Sequence, residues 1–230
     1  MIDKFDPDVR ILVYGAGSFA CLIAEMARES GLGSVYAFYT PESRFHPRLL
    51  DYNARLIDRF DDLLTSFDQC SHYIVAIGNE FGYARVQIAL ALEQRGLMPM
   101  SVIHPKAVVA PTAQIGKGCV VMASASIQHF TKLGNYSIIN TNATIDHETV
   151  IGSGVHVMGG SSVAGRVSIG DYATVGTNAT ILPDAAIGRN AYIGAGAVVV
   201  KEVGDDDVVI GVPARFLRKQ NLATSLYSLG

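Results

Sequence analysis

Apolar residues recur at every sixth position over almost half of this 230-residue chain, from about residue 103 to 204. Read in sixes from Ile103, the first residue is aliphatic at seventeen successive steps, through Ile145, Ile151 and Val157 to Ile193 and Val199, with no slip in register. The fifth residue is small or slim, as at Ala107, Ala125, Thr149, Ala173 and Ala197, and the second is often glycine, as at Gly116, Gly134, Gly152 and Gly170. No α-helix has a period of six, and a plain strand has a period of two and does not run this long. A hexad repeat predicts a parallel β-helix in which each six is one short strand and one turn. Three sixes close a triangular coil of eighteen residues. The aliphatic residue points inward, the small residue lets the corner close, and the glycine is expected to supply turn backbone that other residues resist. Coils then stack by strand pairing about 4.8 Å apart, so residues eighteen apart sit one above the other.

The first hundred residues have a different pattern. Residues 10–14 (RILVY) predict a buried strand, and Phe19, Leu22, Ile23 and Met26 at helical spacing predict a helix over 18–30 that Gly31 and Gly33 stop. Residues 35–38 predict a second strand, 40–55 an irregular loop with a short strand ending at Ile57, 58–67 a short helix, 73–77 a strand and 81–95 a helix capped by Gly96. This is a small α/β domain with a three- or four-stranded parallel sheet. Two turns lie at strand ends, Gly15–Ser18 and Gly78–Asn79, where open parallel sheets bind ligands. The first has two glycines of a phosphate-binding turn but Ala20 where the third would stand, and a tight turn with no ligand reads equally from these residues. The boundaries are a Rossmann-like domain over 1–100 and a β-helix with a C-terminal tail over 101–230. In that tail, residues 208–219 read as a strand, a proline-containing turn and a basic end.

Composition narrows the function classes. Apolar residues make up 49% and charged residues 17% of the chain, yet no apolar run is long enough to predict a membrane span. Net charge is −3 and no basic stretch points to nucleic acid. The N-terminus lacks the basic start and apolar core of a signal peptide, so a cytoplasmic location is expected. Cys21, Cys70 and Cys119 are odd in number and far apart, which predicts buried reduced thiols.

Three histidines fall within the repeat. His129 and His147 are each third in their sixes and eighteen apart, so they are expected to stack on one edge, while His156 is sixth in its six. Asp146 and Glu148 flank His147. An imidazole beside a carboxylate has the makings of a general base, because the carboxylate fixes the tautomer and stabilises the imidazolium. A surface histidine near anions by chance is the plainer reading of the same residues.

Five stretches together resemble the bacterial nucleotide-aminosugar N-acetyltransferases and the sialic-acid O-acetyltransferase family: VYGAG at 13–17, VAIGN at 75–79, VIHPKAVVAPTA at 102–113, INTNATIDHETVIGSGVHVMGGSSVAG at 139–165 and IGVPAR at 210–215. Ordinary crossovers are right-handed. The resemblance instead implies a left-handed β-helix and a homotrimer with active sites between subunits. It also implies acetyl-CoA as co-substrate, a nucleotide-linked amino sugar as acceptor, and no metal. It makes His147 the general base and Glu148 the residue that raises its basicity. His156, Gly165, Thr177 and Ala195 would bind acetyl-CoA, with the Gly165 N–H facing the developing oxyanion. Gly17, Ser18, Gly78 and Asn79 would hold the nucleotide-sugar.

The departures lie in the N-terminal domain. Where the family has Gly-His-Gly in the first turn, this chain has Ser18-Phe19-Ala20, and where an acidic pair follows the second strand, it has Tyr39-Thr40-Pro41 with Glu42 nearest. Acyl transfer is therefore the firmer part of the reading, and the acceptor the weaker. O-acetylation of a sugar or sialic-acid hydroxyl is the alternative within the same chemistry. A zinc hydratase on the same scaffold needs three converging imidazoles, which positions 129, 147 and 156 supply poorly. A non-catalytic, nucleotide-binding trimeric module is the remaining alternative. His129 is assigned either to the acceptor site or to structure.

Overall fold

The structure is a computed structural model that describes residues 9–222. Strands β1 (Arg10–Tyr14), β2 (Ser34–Tyr39), β3 (Arg55–Ile57), β4 (His72–Val75) and β5 (Met98–Pro99) form one sheet in the order β3-β2-β1-β4-β5. Every pairing in it is parallel. The sheet thus has five strands where three or four were expected. The extra one is the two-residue edge strand β5, and Pro99 is tolerated there because an edge residue need not donate to the ladder. Helices α1 (Ser18–Glu29), α2 (Phe60–Ser66) and α3 (Gly82–Gln94) cover the faces. α1 buries Ala20, Ile23, Ala24 and Ala27 on one side and ends at Gly31, whose φ of 66° is open to glycine. The order of strands reverses direction between β1 and β4, and the turns following those two strands open onto the same end of the sheet.

From Val102 to Val199 the chain forms seventeen strands of two residues each, β6 to β22, in three parallel sheets. Their register is Ser126↔Thr144↔Ser162↔Thr180, a step of eighteen residues that makes each coil three hexads. First- and fifth-position residues fill one continuous core, including Ile145, Ile151, Ala143 and Ala173. Slim polar residues at the fifth position are buried because each has a partner in the next coil. Ser137 donates to the Gly152 carbonyl at 2.9 Å, Thr149 to Ala164 at 3.0 Å and Ser161 to Gly176 at 2.8 Å.

The glycines of the repeat have a different reason from the one expected. The left-handed backbone falls on the fourth residue of most sixes, among them Phe130, Glu148, Arg166 and Asp184 at φ 58–62°. The second-position glycines do not carry it. A Cβ at Gly134 would lie 2.4 Å from the Gly152 backbone, and one at Gly170 would lie 2.6 Å from Arg189 N. They are glycine because the coils approach too closely for any side chain. The tail differs as well: its basic end is strand β24 (Arg215–Lys219), which pairs antiparallel with β23 (Asp207–Ile210) and closes the end of the eight-stranded sheet.

The two parts of the chain share their cores. Val102, Val120, Met122 and Ile138 of the β-helix pack into the α1 side of the sheet, and Tyr136 packs into the α3 side. Arg85 on α3 ties them. Its side chain is fully buried and donates to the carbonyls of Tyr136, Ile77 and Gly154, each at 2.7 Å. Among the described residues it pairs with no carboxylate; carbonyl dipoles alone offset its charge. Burial pushes the guanidinium down to about 10, which leaves it charged at neutral pH. Beside it, Glu93 accepts from Tyr136 and from Lys117 Nζ at 2.6 Å.

Replacing Arg85 by Met is expected to destabilise the protein by about 3–5 kcal/mol, because buried carbonyls on both sides of the junction lose their donor. Urea titration followed by tyrosine fluorescence checks this, and a change below 1 kcal/mol, by the same scale, would show that the junction does not depend on Arg85.

Candidate active site

Strands Thr144–Ile145 and Ser162–Val163 are neighbours in the six-stranded sheet, and each leads into a corner of the prism. On the lower corner stand Asp146, His147 and Glu148; on the upper, Gly165 and Arg166. The two carboxylates beside His147 do different things. Asp146 Oδ1 accepts the backbone N–H of His147 at 2.7 Å, and Glu148 Oε2 lies 3.0 Å from the ring Nδ1. Left-handed backbone at Glu148 (φ 58°) turns that side chain back onto the imidazole. With Nδ1–H donated to Glu148, the Nε2 lone pair is the free one.

Nε2 faces Gly165. A Cβ built there would lie 2.6 Å from Nε2 and 2.7 Å from Cε1, so glycine is required for the ring to lie flat against the coil above. The Arg166 N–H donates to the His147 carbonyl at 2.9 Å, which fixes the two corners to each other. Thr149 straps the same coils, donating to Ala164 and accepting from Val167 N at 3.3 Å. His129 sits one coil below, with Nδ1 2.9 Å from Thr112 Oγ1 and its ring tilted against Phe130. Its link to the His147 corner is through backbone, Glu148 N to His129 O at 3.0 Å.

The other expected residues lie elsewhere on the prism. Strands His156–Val157, Thr174–Val175 and Tyr192–Ile193 belong to the eight-stranded sheet and lead into a different edge, where Thr177 and Ala195 are exposed one coil apart. His156 is 4% exposed. Its Nε2 is 3.3 Å from Asn140 Nδ2, and its ring lies under the Gly78 turn, 3.6 Å from where a Gly78 Cβ would be. One chain therefore does not bring His156, Thr177 and Ala195 to the edge that carries His147 and Gly165.

Gly17, Ser18, Gly78 and Asn79 do converge. With Thr40, Glu42, Arg44 and His46 they line a cleft of about 440 Å³ at the carboxyl ends of β1, β2 and β4. α1 begins at this cleft with Gly17 as its N-cap and no side-chain cap, so its first N–H groups point there. Sequence reasoning missed His46, which enters from the loop after β2. Its Nδ1 accepts from Arg48 N at 3.3 Å and contacts Cys21 Sγ at 3.3 Å. Burial raises the Cys21 thiol, so sulfur is the donor and the His46 Nε2 side stays available. A larger hollow of about 820 Å³, lined by Cys21, Tyr52 and Arg48, shares Ser18 and His46 with the cleft. All three cysteines are free and buried. Among the described residues no group of three or more His, Cys, Asp and Glu could hold a metal ion, and no helix is long and apolar enough to cross a membrane.

Two outcomes are expected from this geometry. Gly165→Ala should displace the His147 ring and cut any activity that uses Nε2 by at least about tenfold while melting changes little, since glycine there serves close approach; equal activity in both proteins would detach Gly165 from the site. Burial first, and then the nearby Arg85 charge, push His156 from the ordinary 6.5 down to about 3, with the Asn79 backbone partly opposing. Between those values the unfolded chain binds a proton that the folded chain does not. Stability is therefore full above about pH 6.5 and falls as pH drops through that window, by up to about 1.4 kcal/mol per unit. Urea midpoints of the wild type and His156→Gln from pH 7 to 4 check the sign; parallel falls would rule out His156 as the source.

Comparison with known proteins follows the same division. The model of the bacterial transferase hexapeptide (six repeats) family matches residues 112–147 and 148–182. Comparison with curated protein sequences finds no significant match. Among solved structures, perosamine N-acetyltransferase from Caulobacter crescentus, crystallised with CoA and GDP-perosamine, is 30% identical with a TM-score of 0.83, over 91% of this chain and 97% of that one. The acetyltransferase domain of PglB from Neisseria gonorrhoeae, crystallised with acetyl coenzyme A, is 31% identical with a TM-score of 0.81, over 90% and 98%. WeeI from Acinetobacter baumannii is 25% identical with a TM-score of 0.79, over 91% and 100%. The match spans the α/β domain, the junction and the β-helix alike, so the chain belongs to the bacterial sugar acetyltransferases, acyltransferases built on a left-handed β-helix of hexapeptide repeats.

Proposed function

We propose that this acyltransferase moves an acetyl group from acetyl-CoA to the amino group of a nucleotide-linked amino sugar, with His147 as general base. The observation that supports it most is the His147–Glu148 pair: Nδ1 held at 3.0 Å by a carboxylate, and Nε2 left free beside a glycine that makes room for it. The acceptor nitrogen attacks the thioester carbonyl carbon as His147 Nε2 takes its proton. The C–S bond then breaks, and the proton passes from His147 to the departing thiolate. A backbone N–H at Gly165 lies on the side where the oxyanion develops, and one such donor is typically worth about 3 kcal/mol. Relatives that are similar over nearly their full length bind CoA, acetyl coenzyme A or GDP-perosamine, which supports the same pair of substrates here.

The nucleotide-sugar fits the cleft of Gly17, Ser18, Gly78 and Asn79. The uncapped start of α1 suits a diphosphate, and Arg44 supplies positive charge. His46 gives this cleft the imidazole that the first turn lacks. Acetyl-CoA would lie along the edge of Thr177 and Ala195, where small side chains leave a smooth path. That edge and the His147 edge are different in one chain. The reading therefore requires a neighbouring copy, and three copies packed about the prism would join one chain's His147 to the next chain's groove. Three free thiols go with a reducing cytoplasm, which cell fractionation tests.

Release of CoA thiol from acetyl-CoA, measured over a panel of UDP-, dTDP- and GDP-linked amino sugars, is expected with at least one acceptor. His147→Ala should lower kcat by about 10²–10⁴ while acetyl-CoA still binds. Glu148→Gln should lower it less and move the acid limb of the rate profile to lower pH, because the imidazolium loses its anion. Sedimentation should give the mass of three copies. Wild-type turnover in His147→Ala would sink the mechanism, and no turnover with any acceptor would favour a binding module.

A further inference from the structure

The corner column that holds Glu148 continues upward through Arg166 and Asp184, each the fourth residue of its six and each in left-handed backbone. Arg166 and Asp184 form a two-pronged pair, Nε to Oδ1 at 2.7 Å and Nη2 to Oδ2 at 2.9 Å. Both side chains are about half exposed, so the pair adds little to folding stability. Its position is the notable fact. Arg166 follows Gly165, against which the His147 ring lies, and stands directly over Glu148, whose carboxylate is the only one on the imidazole among the described residues.

A guanidinium has five N–H donors and seeks carboxylates. Two carboxylates flank Arg166 in the column, Glu148 below and Asp184 above. The ion pair forms with Asp184, and Glu148 is left to His147. Resting on the proposed role of His147, we propose that Asp184 and Arg166 are positioning residues: by filling the Arg166 fork, Asp184 keeps Arg166 from drawing Glu148 off the imidazole. The titratable and charged groups around His147 are then Glu148 on its ring, Asp146 on its own backbone N–H, Arg166 and Asp184 above, and His129 below. The charges of Glu148 on Arg166 and of His147 on Asp184 are felt across the column.

Asp184→Asn opens the fork. It should lower kcat about tenfold, a partial loss of what a general base supplies, with the KM for acetyl-CoA within about twofold. Its acid limb should move to lower pH, since the imidazolium loses both nearby anions. Arg166→Gln should lower kcat less and move the limb the other way. The decisive protein is the double variant, which has no fork to open. Its kcat should recover to the Arg166→Gln level. A double variant as slow as Asp184→Asn would show that the pair merely clamps two coils, and a raised KM for acetyl-CoA with unchanged kcat would show that Arg166 binds the coenzyme; either overturns the inference. NMR titration of the His147 ring in the ligand-free proteins should show the same opposite displacements. That readout stands even if no acceptor is turned over, so failure here is separable from failure of the acetyl-transfer reading. Identical titrations in all four proteins would overturn the positioning role.

Discussion

Stacking identical coils at strand spacing is the constraint from which the rest of this molecule follows. Backbones that pair eighteen residues apart leave no room for a Cβ at second-position glycines such as Gly134 and Gly170, and they bury most inward side chains. A polar residue is tolerated inside when the neighbouring coil offers it a partner, as Ser137, Thr149 and Ser161 find. Outward residues are sorted into columns. A column is a rigid rack on which the sequence places chemistry by choosing a residue every eighteen positions. His147 and Gly165 occupy one rack, and Glu148, Arg166 and Asp184 the next. Because the coil above cannot move away, the approach of Nε2 to Gly165 is set by the fold and not by side-chain preference.

The same rigidity is passed to the α/β domain through one buried cation. Arg85 binds the Ile77 carbonyl at the end of β4 with one nitrogen and β-helix carbonyls with the others. The Gly78–Asn79 turn therefore inherits its position from the β-helix. His156 lies directly beneath that turn, and a protonated imidazole next to a buried guanidinium would be costly, which is one reason the ring stays neutral. A neutral imidazole is a compact filler with one donor and one acceptor. The junction is thus held by carbonyl dipoles around a fixed positive charge, and among the described residues no carboxylate pairs with it.

Much of this was legible in the residues, and what was not has definite causes. The hexad register fixes the eighteen-residue coil and predicts which residues share a column, because strand pairing permits no slip when one face is buried. The strand-end glycines predict where the sheet opens. Which acid serves His147 could not be read, since Asp146 and Glu148 are each one residue away; the left-handed fourth position decides it by turning Glu148 onto the ring. The glycines of the repeat were misread because a close approach between coils is a tertiary fact with no local signature. Strand β5 escaped notice because two residues ending in proline carry no period. His46 and Arg85 were passed over for the same kind of reason: each acts on partners brought near by the fold, Arg85 on carbonyls 51 and 69 residues away. The Arg166–Asp184 pair was the readable omission, since the eighteen-residue step from Glu148 lands on both.

The division of the expected residues between two edges also bears on how such a site could close. His147 and Gly165 project from corners after the six-stranded sheet. His156 lies in the eight-stranded sheet against which the α/β domain packs, and Thr177 and Ala195 project from turns after strands of that sheet. A three-sided prism cannot bend one edge toward another, because every coil is braced by the coils above and below it. Closing the distance within one chain would require breaking strand pairs in several coils at once. Apposing one chain's edge to a different edge of a next copy would cost no such distortion, and the proposed three copies would complete the circle. If His147 is the base and the Thr177–Ala195 edge the coenzyme groove, as proposed, assembly and not loop motion is the step that would form the site.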